Sequence, residues 1–203
     1  FDSPIGPASG ERIPAAWISH PDNISDFYRT GVTRITNLAL SSGGEWGNMG
    51  LSCANCDEAE MVPNTDQTKN AINFSGAANL NEKLSISSSV SYVNTHGNLG
   101  GSGYTFNNPG MQTIWTARQV DWEYQRTHIE NPDGTQISWI NRWHDNPYWM
   151  QYKNLNPQTE NRLMGFASVK YEFTDWLSLM VRSGIDYSNE QFELKRAYYS
   201  MDY

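Results

Sequence analysis

Five of the eight tryptophans of this 203-residue chain fall between residues 111 and 160, at Trp115, Trp122, Trp139, Trp143 and Trp149. Indole faces stack on flat apolar surfaces such as sugar rings, and Trp, Tyr and Arg dominate protein interfaces. This stretch is therefore the candidate for ligand or partner contact, with partner docking ahead of direct sugar contact. The competing use of the same rings is a small core of their own that holds the segment as a lid, and for most of them that use is favoured. Other chemistry is sparse. Cys53-Ala-Asn-Cys56 has the spacing of a redox pair or half a zinc site. No second pair accompanies it, and residues three apart in a strand face opposite ways, so we read two small strand residues. The acidic run Asp57-Glu58-Ala59-Glu60 is read as a solvated charge cluster in a surface loop rather than a cation site. His20, His96, His128 and His144 are too scattered for a metal centre. HExxH, GxSxG, Walker A and paired CxxC patterns are absent from the sequence. No catalytic residue, cofactor or metal is expected, and the chain is not read as an enzyme.

Bulk composition narrows the class. The formal net charge is -8, which argues against nucleic acid as a partner because phosphate backbones select clusters of Lys and Arg. Mean hydropathy is -0.64, and no apolar run approaches the roughly 20 residues of a membrane helix. A membrane β-barrel carries a weaker signal and stays open. The opening FDSPIGPASGERIP has neither a basic-then-apolar leader nor an initiator Met, which reads as a processed product or an internal piece.

The elements that must position these residues follow from period-two alternation. In AINFSGAANLNEKLSISSSVSY, residues 71–92, Ile72, Phe74, Gly76, Ala78 and Leu80 share one face, opposite Asn73, Ser75, Ala77 and Asn79. Beyond Asn81-Glu82-Lys83, Leu84, Ile86, Val90 and Tyr92 oppose Ser85, Ser87, Ser89 and Ser91. The same grammar recurs at Leu38 and Leu40, at Met49, Leu51 and Cys53, and in two runs, Leu163 to Phe173 and Leu177 to Tyr187. Phe166 falls on the polar side, which calls for a bulge or a packing partner there. Six strands are predicted, at 32–42, 48–57, 70–80, 84–96, 161–173 and 176–189. Short turns (SGGEWGN, NEK, TDW) alternate with long connections: 1–31, DEAEMVPNTDQTK, and the stretch from His96 to about 161. The long insertion carries a turn at NPDGTQ, 131–136, and a short helix is predicted within QTIWTARQVDWEYQR.

Short turns on one edge and long loops on the other are the habit of outer-membrane barrels. Trp46, Phe173 and Trp176 gather at the short-turn edge, with Tyr92 and Tyr187 toward the other, as interfacial aromatics do. Six strands do not close such a barrel, because single-chain examples start at about eight and an open edge in lipid leaves backbone groups unpaired at several kcal/mol each. The fold class is therefore all-β, an antiparallel meander of about six strands forming part of a larger wall. A sandwich would need two apolar inner faces, and each strand here offers one.

GVTRITNLALSSGGEWGNMGLS followed by DEAEMVPNTDQTKNAINFSGAANLNEKLSISSSVSY, and later VKYEFTDWLSLMVRSGIDYS, resembles the early barrel of SusC/RagA-type TonB-dependent outer-membrane transporters, from about Asn23 to Tyr203. Glu60 departs from the family's usual Gly, and Cys53 and Cys56 from its usual aromatic or aliphatic residue and Met. A plug domain and a TonB-contacting box are not in this sequence. The resemblance implies an internal segment of a barrel of about 22 strands in the outer membrane of a Gram-negative bacterium. It implies segments 1–31 and 97–160 as extracellular, 32–96 and 161–190 as barrel strands, and 191–203 as the start of a further loop. It further implies nutrient import, of oligosaccharides foremost and peptides alternatively, with a SusD-like surface lipoprotein and the TonB complex as partners.

In this reading Leu38, Leu40, Ile72, Phe74, Leu84, Ile86, Val169, Tyr171, Leu177, Leu179 and Val181 meet membrane lipid, and the segment alone would aggregate in water. The rival is a soluble secreted carbohydrate-binding β-domain, in which that same face must be covered by protein.

Overall fold

The computed structural model describes residues 2–3, 13–14, 16–101, 108–140 and 144–201. Its main body is one six-stranded antiparallel sheet in strict sequence order. The strands are β3 (Val32–Gly44), β4 (Gly47–Ala59), β5 (Asp66–Asn79), β6 (Leu84–Asn98), β7 (Pro157–Thr174) and β8 (Leu177–Phe192). A two-residue pair, β1 (Asp2–Ser3) with β2 (Ile13–Pro14), lies within the segment expected to be loop. The sheet is not closed: β3 and β8 are its two edges.

All six predicted strands are present, and each is longer than or equal to its predicted span. The largest correction concerns the DEAE run. β4 runs past its predicted end at Asp57 to take in Glu58 and Ala59, so most of the acidic run lies in a strand rather than a loop, and the connection shrinks to residues 60–65. Cross-strand partners explain this: Arg34 meets Asp57 at 3.0 Å, and the Thr68 hydroxyl donates to the same carboxylate at 3.1 Å. Polar side chains thus extend the ladder beyond the apolar pattern that sequence reading follows.

Register sorts the side chains into rows, because directly opposed residues share a face. One row runs Leu38, Cys53, Ile72, Tyr92, Leu163, Tyr187 across the six strands; the next runs Leu40, Leu51, Phe74, Val90, Gly165, Ile185. A smaller row follows at Ser42, Met49, Gly76, Ser88, Ala167 and Ser183, then Gly44, Gly47, Ala78, Ile86, Val169 and Val181. None of these residues is charged. The opposite face is held by polar pairs, including Ser91 to Asn73 at 2.6 Å, Ser87 with Ser168 at 2.7 Å, and Arg162 bidentate on Asp186.

The short turns are tight for local reasons. Asn81 accepts from the backbone N–H groups of Lys83 and Leu84, both at 2.9 Å, forming an Asx turn. Successive turns also step along the sheet. The first hairpin ends at Gly44 opposite Gly47, the second one row further at Leu80 bonded to Leu84, and the third beyond that at Thr174 opposite Leu177. Phe166 needs no bulge. The Arg182 guanidinium covers its ring at 4.5 Å, and the register irregularity sits instead between Glu172 and Thr174.

At the other edge the connections fold together as a cap. It contains α1 (Asn23–Phe27), α2 (Pro109–Ile114), α3 (Trp122–Thr127) and α4 (Pro147–Lys153). Where one short helix is predicted within 112–126, parts of two are present, separated at Trp115–Asp121. Asp121 starts the second by accepting from the N–H groups of Glu123 and Tyr124. The NPDGTQ turn forms with Gly134 at φ +85°, closed by a bridge between Glu130 and Gln136.

Candidate functional site

The cap has the one hydrophobic cluster of fully buried rings among the described residues, and it draws on several connections. Phe27 from α1 meets Trp122 from α3 and Tyr148 from α4, with ring centroids 5.1–6.3 Å apart, and Val120 closes the cluster. Val62, from the 60–65 connection, packs on it. Polar links run the same way. Arg29 donates to the carbonyls of Glu60 and Thr65, Asn64 to that of Gln151 at 2.6 Å, and His20 N–H to that of Arg118 at 2.7 Å. Asn146 is fully buried; its amide donates to the carbonyls of Gln125 and Ile137, and its oxygen caps α4 at Tyr148. Burial pushes the Tyr148 hydroxyl up to about 12.

The five tryptophans separate accordingly. Trp122 is 1% exposed and Trp149 3%, so neither face is open to a ligand. Trp149 also donates its indole N–H to Ser200 at 3.2 Å. Trp139 is partly buried against the cluster. Trp115 is 58% exposed. Trp143 lies outside the described residues. The open aromatic feature is a stack: the His144 ring lies 5.2 Å from that of Trp139 and 6.2 Å from that of Trp115, near-parallel to both. Gln112 Oε1 approaches His144 Nδ1 at 2.6 Å, and partial burial holds the imidazole below its usual pKa. The imidazole thus lies between two indoles, and the stack carries no nucleophile–base pair.

The sheet presents the larger feature. Leu38, Leu40, Ile72, Phe74, Ile86, Val169, Tyr171, Leu177, Leu179 and Val181 are exposed, from 38% at Ile86 to 62% at Val181. Leu84 is half-buried on the same face. Cys53 lies among them and Cys56 on the opposite face, and neither forms a disulfide. On the polar face an open groove of about 300 Å³ is lined by Asn48, Asn79, Ser85, Lys170 and Arg182, among others. Among the described residues no cluster of His, Cys, Asp or Glu could hold a metal, and no helix is long and apolar enough to cross a membrane.

One row escaped sequence reading. Directly beyond Leu38–Tyr187 on the apolar face, register aligns Thr36, Asn55, Asn70, Asn94, Asn161 and Asn189. Asn55 donates to Asn70 at 3.0 Å and Asn94 to Asn161 at 2.8 Å. The available signal was a lone Asn at the same phase in five of the strands, which acquires meaning only once pairing is known. No protein-family model matches this sequence, and neither does any curated protein.

Proposed function

We propose that this chain is part of the wall of a TonB-dependent β-barrel importer in the outer membrane of a Gram-negative bacterium. It takes up nutrients, oligosaccharides foremost and peptides alternatively, together with a SusD-like surface lipoprotein. The observation that carries the reading is the uncharged, exposed face that runs unbroken across all six strands with nothing of the described chain packed on it. Monomeric soluble proteins rarely expose contiguous apolar patches beyond a few hundred Å², whereas lipid requires such a face. Two further features support it. The edges β3 and β8 are unpaired, and a larger barrel satisfies them. The short turns advance about one residue per strand, the offset that gives a closed barrel a tilt of ~36°.

At that tilt, with ~3.4 Å per residue, Arg34 and Asp57 stand about 28 Å above their turn, just clear of an apolar band ~25 Å tall. The polar face then lines the lumen, and the cap lies over the outer mouth. The test is fractionation of source cells with an antibody against residues 111–160. Expected is an outer-membrane band whose mobility changes on boiling and whose cap is cut by protease added outside intact cells. A soluble band untouched by that protease would refute the importer and favour the secreted glycan-binding module.

A further inference from the structure

Phe166 breaks the alternation of β7 by standing on the polar face, and the Arg182 guanidinium lies over its ring at 4.5 Å. Stacking of this kind holds the planar fork extended and leaves its N–H groups available to a carboxylate. Among the described residues no carboxylate pairs with Arg182. Lys170 stands opposite Met180 and Arg182 opposite Ser168, so the two cations are diagonal neighbours on adjacent strands, with Cβ atoms ~7–8 Å apart. Glu172 is the one carboxylate engaged there, 2.7 Å from Lys170 Nζ. Asp186, on the same face, is taken by Arg162.

Both cations line the open groove of about 300 Å³, which is at the small end of ligand pockets. Two cations against one carboxylate leave it positive in a chain of net charge -8. Glu45, Glu82 and Asp175 occupy the turns beyond it and are not among its walls. A further donor comes from within the sheet. The Ser87 and Ser168 hydroxyls share one hydrogen bond at 2.7 Å, and Ser168 is only 8% exposed. Whichever of the two donates, the other keeps its O–H for a third acceptor. Asn48 and Asn79 add amides to the lining.

We infer that this groove binds a sugar carboxylate, and that the cargo of the importer is a uronate-bearing oligosaccharide. Arg182 and Lys170 neutralise the acid, the remaining serine O–H donates to it, and the amides match the ring hydroxyls. Phe166 is a positioning residue that presents Arg182. The inference deepens the importer reading and rests on it.

The test is calorimetric titration of the complete protein, purified from source cells, with trimers of galacturonate and of glucuronate. Each acidic trimer is expected to bind on the order of tenfold more tightly than its methyl ester, which keeps the ring hydroxyls and loses the charge. Arg182→Gln abolishes that advantage. Lys69→Gln, which removes an exposed cation at the far end of the same face, leaves it in place because the distance is screened. Phe166→Leu weakens binding of the acidic trimers and adds nothing in an Arg182→Gln background. Equal affinity for trimer and ester, no binding of either trimer, or tighter binding of triglutamate overturns the inference. An Arg182→Gln protein of unchanged affinity that is less stable to urea without ligand assigns the guanidinium to a carboxylate of the protein itself, and overturns it too. A protein found in the outer membrane that binds no uronate sinks this inference alone. Uronate binding by a protein that is soluble in its source cells keeps the groove and sinks the importer.

Discussion

Val181 and its neighbours allow the two faces to be compared at one depth. Val181 is 62% exposed on the apolar face, opposite Val169. The next residue, Arg182, turns to the polar face and lies over Phe166 at 4.5 Å. At ~3.4 Å per residue and ~36° tilt, Val181 stands about 11 Å above Leu177, near the middle of a band ~25 Å tall. An arginine there is expected to cost about 2–4 kcal/mol in lipid, roughly 30- to 1000-fold in the folding equilibrium. Met180, 56% exposed on the polar face beside Arg182, provides the control: Met180→Arg should stay within about 0.5 kcal/mol. The assay is urea titration of the complete protein folded in phospholipid vesicles, extrapolated linearly. Equal losses for Val181→Arg and Met180→Arg, or a Val181→Arg loss below about 0.5 kcal/mol, would refute the assignment of the faces.

Three more expectations concern the cap and the ladder. Trp122→Ala, which empties the centre of the Phe27–Tyr148 cluster, should cost the cap about 3–5 kcal/mol, read as faster proteolysis within 111–160 while far-UV β signal persists. His144 has its pKa lowered by burial, so the unfolded cap binds the proton more readily than the folded one. The stability it contributes is then fully present above the unfolded pKa near 6.5 and is lost as pH falls through that value to the folded one. Hydrogen exchange of α2 should accelerate over that window, and no longer do so in His144→Gln. At Gly165, a Cβ would lie 2.6 Å from the Ser89 carbonyl oxygen, so Gly165→Val should force β6 and β7 apart and lower the unfolding midpoint by more than Ala167→Val.

Much of the sheet was legible because a half-buried or half-lipid strand must alternate, and six such runs survive in one dimension. The faces of Ile72, Phe74, Leu84 and Val169, the three tight turns and the meander order follow from alternation and turn chemistry alone. Strand ends were not legible. β4 continues past Asp57 to Ala59, where Arg34 and Thr68 meet the Asp57 carboxylate from neighbouring strands, and no local pattern records a partner on another strand. The tryptophans show the same limit more sharply. Trp115 and Trp122 are alike as letters, yet one is 58% exposed and the other 1%. What separates them is Phe27, which arrives from a connection nearly a hundred residues away. Alternation is a local property of the chain and is written in it. Burial of a ring, the line of Asn55, Asn70, Asn94, Asn161 and Asn189, and the step of the turns are properties of pairing, which exist only when distant segments share one structure.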